Sequence, residues 1–172
     1  ALIGDRAMPT PTAGSVDGIA RGDAAGYEES GTTHFVVVDF DGNVVSMTTT
    51  VESVFGSGRV VGGFFLNNQL TDFTFAPIQD GRPVANAVAP GKRPRSSMAP
   101  MIALDRNRRA VAAFGSPGGA SILTYNTKVA VGLLAWGLPL QHVIELPNVV
   151  GRDPRLHAEL SRMLPWVRDS LR

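Results

Sequence analysis

The chain has 172 residues, with 16 Lys and Arg against 15 Asp and Glu for a formal net charge of +1, together with 19 glycines, 12 prolines and no cysteine. A chain of this length buries on the order of 70% of its unfolded surface, enough for one domain with a real core. The near-neutral charge removes any electrostatic case for nucleic acid, an anionic membrane or an acidic substrate, and the absence of cysteine excludes disulfides and thiolate metal sites while leaving the compartment open.

Residues 1 to 31 read as a linker, because Pro9, Pro11, Gly14, Gly18, Gly22 and Gly26 fall too densely for a helix or strand interior. The first residues lack the charged-then-apolar pattern of a signal peptide, and no apolar run approaches the roughly 18 residues of a membrane span. The chain is therefore expected to start inside a longer precursor.

At Gly31-Thr32-Thr33-His34-Phe35 a hydroxyl residue stands at the mouth of a strand. Cleavage between Gly31 and Thr32 would give one residue both a hydroxyl nucleophile and, about 3 Å away, an α-amino group whose ordinary pKa near 7.7 to 8.0 suits a general base. Two threonines at a strand start are equally what β-branched strand formers look like. The strand, Phe35 to Phe40, joins Asn43 to Thr50 across Asp41-Gly42, a pair suited to the positive φ of a tight hairpin turn.

Arg59 to Leu66 reads as a third strand broken at Gly62-Gly63, and Thr71 to Met98 as a long polar loop of the kind that tends to be functional or disordered. Met101 to Asp105 and Ala110 to Phe114 form a second hairpin about the Arg106 to Arg109 turn. The near-continuous apolar character of these strands predicts burial on both faces.

Gly115-Ser116-Pro117-Gly118-Gly119 then links a strand to a helix over about Ala120 to Gly137, with Ile122, Val129, Leu133 and Trp136 near one stripe. Bare backbone N–H groups at that helix start suit an oxyanion, and a tight strand-to-helix turn needs the same glycines. A phosphate loop is disfavoured, since the Gly-Lys-Ser/Thr ending is missing. A last helix is expected from Pro154 to Leu171, capped by Asp153. His34, His142 and His157 are scattered with no metal-ligand spacing, so no metal is expected.

Together these motifs resemble the small subunit of the γ-glutamyltranspeptidase family, whose precursors cut themselves to expose an N-terminal threonine. The resemblance begins at Tyr27-Glu28-Glu29-Ser30-Gly31 and Thr32-Thr33-His34-Phe35, and continues through Asp39-Phe40-Asp41-Gly42-Asn43 and Phe55-Gly56-Ser57-Gly58. It runs on through Leu66-Asn67-Asn68-Gln69, Ala85-Asn86-Ala87-Val88, Lys92-Arg93-Pro94-Arg95-Ser96-Ser97-Met98-Ala99-Pro100 and Gly115-Ser116-Pro117-Gly118-Gly119. It implies an α+β fold, half of the αββα sandwich of the N-terminal-nucleophile hydrolases. Residues 1–31 would be the tail of the large subunit, and residues 32–172 a C-terminally truncated small catalytic subunit.

The same resemblance implies the roles of the site residues. Thr32 is the nucleophile for autocleavage after Gly31 and for attack on the γ-glutamyl amide, and Thr50 orients it. Gly118 and Gly119 supply the oxyanion hole. Glu52, Gln69 and Asp72 hold the substrate α-ammonium, for which a carboxylate gives a charge-assisted bond, and Ser96 and Ser97 receive its α-carboxylate. The arginine that clamps that carboxylate lies in the large subunit, and Arg93 and Arg95 read as solvated loop residues.

The departures are informative. Glu52 stands where many members carry asparagine, and the loop between Asp72 and Ala85 is short and lacks tyrosine, which implies an open pocket. The implied partners are the large subunit, a γ-glutamyl substrate such as glutathione and an amino acid, peptide or water acceptor, with no cofactor. The segment taken alone is expected to be inactive and to self-associate. Two other readings stay open: a related acylase for glutaryl or cephalosporin-type amides, which Glu52 and Asp72 argue against, and a non-catalytic module binding anions or nucleic acid through Lys92, Arg93, Arg95 and the Arg106 to Arg109 turn.

Overall fold

A computed structural model describes residues 31–152 and 155–170. The 1–31 linker, apart from Gly31, and the Tyr27 to Ser30 part of the cleavage motif lie outside the described residues, as do Asp153 and Pro154.

The first hairpin pairs β1 (Thr32–Val38) with β2 (Val44–Thr50) in antiparallel register from Thr32↔Thr50 to Val38↔Val44. Its register is pinned at the turn, where Gly42 takes φ 83° and the Asp39 carboxylate accepts from the backbone N–H of Asp41 (3.0 Å) and Asn43 (2.7 Å) and from the Asn43 amide (2.7 Å). Side chains alternate across a strand, so Thr32 and His34 share a face with Thr50, Thr48 and Ser46. That face is half-buried, while Phe35, Val37, Val45 and Met47 on the other face are exposed. The expected burial of these strands on both faces is therefore corrected: among the described residues nothing covers the second face.

Arg59 to Leu66 is a small hairpin and not one strand. Here β3 (Val60–Val61) pairs with β4 (Phe64–Phe65) about Gly62 and Gly63, both at positive φ. The 71–98 loop is largely irregular, with a 3-10 turn at Gln69–Asp72 and a two-residue ladder of β5 (Ile78–Gln79) on β6 (Arg82–Pro83). Two side chains order it from within. Asn86 donates to Asp72 O (2.6 Å) and accepts from Arg95 N–H (3.0 Å), and the Lys92 ammonium donates to the carbonyls of Ala85 and Ala87.

The second hairpin matches its expected span, pairing β7 (Met101–Leu104) with β8 (Ala110–Phe114) through a bulge near Ala103. Its turn repeats the chemistry of the first, with the Asp105 carboxylate accepting from Asn107 N–H, Arg109 N–H and the Arg109 guanidinium. The Gly119–Ser121 turn and α1 (Ile122–Ala130) follow, and then one π-helical turn over Val131–Ala135 ends at Gly137, φ 65°. That wider turn advances the apolar stripe by about one residue. Trp136, expected on the buried stripe with Ile122, is exposed in consequence.

A short α2 (Leu140–Glu145) packs Val143 against Gly132, where a Cβ would stand 2.8 Å from both valine methyls. The core gathers Phe114, Ile122, Val143 and Val150, with Phe73 and Val84 buried in the long loop. The expected helix over 154–171 is overturned. Residues there form β10 (Arg155–Ala158) paired to β9 (Val149–Arg152), a 3-10 turn at Leu160–Arg162 and only a short α3 (Pro165–Ser170). Pro165 is the reason: inside a helix it removes a hydrogen bond and clashes, whereas at a first helical position it is accommodated.

Candidate active site

Antiparallel pairing places Thr50 directly across from Thr32, and the Thr32 hydroxyl donates to Thr50 Oγ1 at 3.1 Å. The same oxygen accepts the Glu52 backbone N–H at 2.8 Å. Thr50 is thus fixed from the turn that follows its own strand. Glu52 lies in the left-handed region at φ 75°, a conformation costing a non-glycine residue about 1 to 3 kcal/mol. It is buried at 4% exposure, one of two buried polar side chains in the described core, the other being Asn126.

Gln69 brings the two acids together. Its amide NH2 donates to Asp72 Oδ2 at 2.7 Å and to Glu52 Oε2 at 3.4 Å. With both amide hydrogens directed at carboxylates, the Gln69 carbonyl is set as an acceptor beside them. Two carboxylates gathered on one amide present acceptor oxygens of the kind that suit a cation. Asn68 fixes the Val51–Ser53 turn from behind: Oδ1 accepts from Ser53 N–H (3.0 Å), Nδ2 donates to Ser53 Oγ (3.0 Å) and its own N–H donates to Val51 O (3.3 Å).

Gly118 and Gly119 open the helix at φ 130° and 52°, conformations that favour glycine, and a Cβ on Gly118 would stand 2.7 Å from the Tyr125 ring. The loop reaches β1 through His34. A Cβ on Gly115 would stand 2.3 Å from that imidazole, so the ring lies flat against the loop backbone. His34 Nδ1 pairs with Thr48 Oγ1 at 2.9 Å, its Nε2 is buried without a hydrogen-bond partner among the described residues, and burial lowers its pKa below the usual histidine value.

Ser96 is exposed and accepts the Met98 N–H at 3.1 Å, and Ser97 is half-buried beside it. Their segment is joined to the acid cluster by Asn86, which bonds both Asp72 O and Arg95 N–H. Arg93 and Arg95 are exposed. Hydrogen bonding therefore brings Thr32, Thr50, Glu52, Gln69 and Asp72 into one network, Asn86 ties the segment before the serine pair to Asp72, and His34 of β1 packs on Gly115 at the start of the loop that carries Gly118 and Gly119.

Sequence reasoning did not single out Asn68, Asn86 or Asn126, whereas the expectation that His34 packs or hydrogen-bonds near the strand start is met by its bond to Thr48 and its contact with Gly115. Asn126 has a legible signal, an amide on the apolar stripe between Ile122 and Val129; it is fully buried and donates to Ala99 O at 2.8 Å, tying α1 to the start of β7.

A family model described as gamma-glutamyltranspeptidase matches residues 2–162. The chain is 40% identical over 163 residues to a glutathione hydrolase proenzyme of Escherichia coli (strain K12), covering 90% of this chain and 25% of that protein. It is 44% identical over 123 residues to a glutathione hydrolase proenzyme of Bacillus subtilis (strain 168), covering 70% of this chain and 20% of that protein. Among solved structures, a point mutant of Helicobacter pylori gamma-glutamyltranspeptidase superposes with a TM-score of 0.69 at 33% identity, covering 81% of this chain and 79% of that one. The chain spans a quarter or less of the length of these curated relatives. Among the described residues no helix is long and apolar enough to cross a membrane.

Proposed function

The chain belongs to the γ-glutamyltranspeptidase family, and from that footing we propose that residues 32–172 carry the nucleophile of an enzyme that transfers or hydrolyses γ-glutamyl groups, with residues 1–31 the tail of a large subunit. Its α+β fold is that of the N-terminal-nucleophile hydrolases.

The observation that carries the activity is the Thr32 to Thr50 hydrogen bond, joined through the Glu52 N–H to a part-buried pair of acids of which Glu52 is the buried member. After cleavage behind Gly31, the Thr32 α-amine takes the hydroxyl proton as Oγ1 attacks the γ-carbonyl, and Thr50 holds that oxygen in place. The Gly118 and Gly119 N–H groups face the developing oxyanion, a contact whose loss typically costs about 10²- to 10³-fold in rate. The amine returns the proton to the leaving nitrogen, leaving a γ-glutamyl ester on Thr32. Water or an acceptor amine then attacks that ester by the reverse path. Asp72, Glu52 and Gln69 take the substrate α-ammonium, and Ser96 and Ser97 its α-carboxylate.

Two acids on one amide, Glu52 buried and Asp72 half-buried, suit a substrate with an ammonium and oppose a glutaryl side chain, which would bring the Glu52 carboxylate no cation. The test compares γ-glutamyl and glutaryl anilides on the complete protein. Asp72→Asn should raise KM for the γ-glutamyl substrate about 10- to 10²-fold, the worth of one charged hydrogen bond, and change the glutaryl KM little. Equal effects on both would favour an acylase.

A further inference from the structure

Gly31 is gripped by the turn that carries Glu52. Its N–H donates to Glu52 O at 3.1 Å and its carbonyl accepts the Val51 N–H at 3.4 Å, extending the β1–β2 pairing one step beyond Thr32↔Thr50. A Cβ at this position would stand 2.7 Å from the Glu52 carbonyl oxygen and 2.8 Å from that of Ser53. Ordinary carbon-to-oxygen contacts run at about 3.3 to 3.6 Å, so a side chain here requires backbone to move by more than about 0.5 Å. Both obstructing atoms belong to the main chain, and no rotamer change relieves them. The turn is also held from behind by the Asn68 amide on Ser53 and from the front by Thr50 on Glu52 N–H.

We propose that the Val51–Ser53 turn is a processing clamp: it admits only glycine at position 31, presents the Val51 N–H to the scissile carbonyl, and is kept closed by Asn68 as a positioning residue. This rests on the reading that the chain is cut between Gly31 and Thr32. In that step Thr32 Oγ1 bonds to the Gly31 carbonyl carbon, the Gly31–Thr32 C–N bond breaks, and the hydroxyl proton passes to the departing nitrogen, leaving an ester and a free amine. Water then splits the ester into the Gly31 carboxylate and the Thr32 hydroxyl. Negative charge gathers on the Gly31 oxygen during the attack, and the Val51 N–H is the donor already aimed at it. That donor serves the cut alone, distinct from the Gly118 and Gly119 donors for incoming substrate. Gly31 meets main-chain atoms of Val51, Glu52 and Ser53 and leaves with the cleaved segment, so residue 31 governs cutting and not turnover.

The test uses the complete precursor containing this chain, as wild type, Gly31→Ala, Asn68→Ala and the double variant. Splitting is followed by intact mass, and γ-glutamyl anilide turnover is expressed per mole of free Thr32 N-terminus. Gly31→Ala should split about 10²-fold more slowly, the scale of a sub-ångström to 1 Å misplacement, while its cleaved fraction keeps wild-type kcat and KM. Asn68→Ala should split several-fold more slowly, and the double variant should lose less than the product of the two, since a loosened turn makes room for the methyl. Gly31→Ala splitting at the wild-type rate overturns the clamp, as does cleaved Gly31→Ala with impaired turnover. Should Gly31→Ala fail to fold, wild-type splitting in Asn68→Ala overturns it instead. A wild-type precursor that never splits at this bond would defeat the cleavage reading itself, a distinguishable result.

Discussion

Thr50 Oγ1 accepts two hydrogen bonds, from the Thr32 hydroxyl and from the Glu52 N–H, so a single oxygen ties the nucleophile to the acid wall. Thr50→Ala should therefore lower kcat on a γ-glutamyl anilide about 10- to 10²-fold through misorientation of Thr32, with splitting of the precursor slowed alongside it; unchanged kcat would remove Thr50 from the site. His34 contributes a pH dependence just below neutrality. Burial lowers its folded pKa below the ordinary 6.5, so the unfolded chain binds the proton more readily. Stability is then fully present above about pH 6.5 and falls as pH drops through that value toward the depressed folded pKa. Acidification should lower the melting temperature of wild type more steeply than that of His34→Gln, measured by thermal unfolding between about pH 7 and 5. Parallel slopes would show that His34 does not titrate between the two states. Thr32 was legible from its motif at the strand start, Thr50 from the hairpin that returns beside it, and Asp72 only through the family resemblance. Asn68 and Asn86 were not, because an amide in a loop looks the same whether it faces water or pins a turn.

At the scale of elements, the two hairpins were readable for a shared reason. Each has β-rich apolar runs around an aspartate whose carboxylate caps the turn, Asp39 in one and Asp105 in the other. The C-terminal stretch was not readable in that way. Asp153-Pro154 reads as a helix start by capping rules, yet the pairing of Val150 with His157 and the position of Pro165 decide for a hairpin and a late, short helix. The π turn after α1 has no sequence signature of its own, which is why the stripe was carried one turn too far, to Trp136. Close helix approach at Gly132 makes that position sensitive to substitution. A methyl there meets both Val143 side-chain methyls at 2.8 Å, so Gly132→Ala should cost about 1 to 3 kcal/mol by overpacking. Denaturant titration of the complete protein checks this, and an unchanged midpoint would mean that α2 shifts freely.

Among the described residues, large apolar side chains stand exposed in groups, the kind of surface that marks an interaction face. Phe35, Val37, Val45 and Met47 on the first hairpin and Leu134 and Trp136 after α1 are all exposed. Strand alternation foretold which residues share a face but could not show whether anything covers it. The 172-residue, 18.2 kDa chain in isolation should self-associate through these faces and keep Thr32 in peptide linkage. Light scattering showing a monomer, or intact mass showing efficient splitting, would contradict that. The complete precursor should behave otherwise, since a positioned Thr32 is what the rest of the chain supplies. The measurement closest to the central claim is tandem mass spectrometry of that precursor after incubation, with and without an electrophilic γ-glutamyl analogue. The account predicts a new N-terminus at Thr32, the analogue's mass on that residue, and neither in Thr32→Ala. Turnover of γ-glutamyl anilide by a chain still intact at Gly31–Thr32, or a label carried by any other residue, would contradict it.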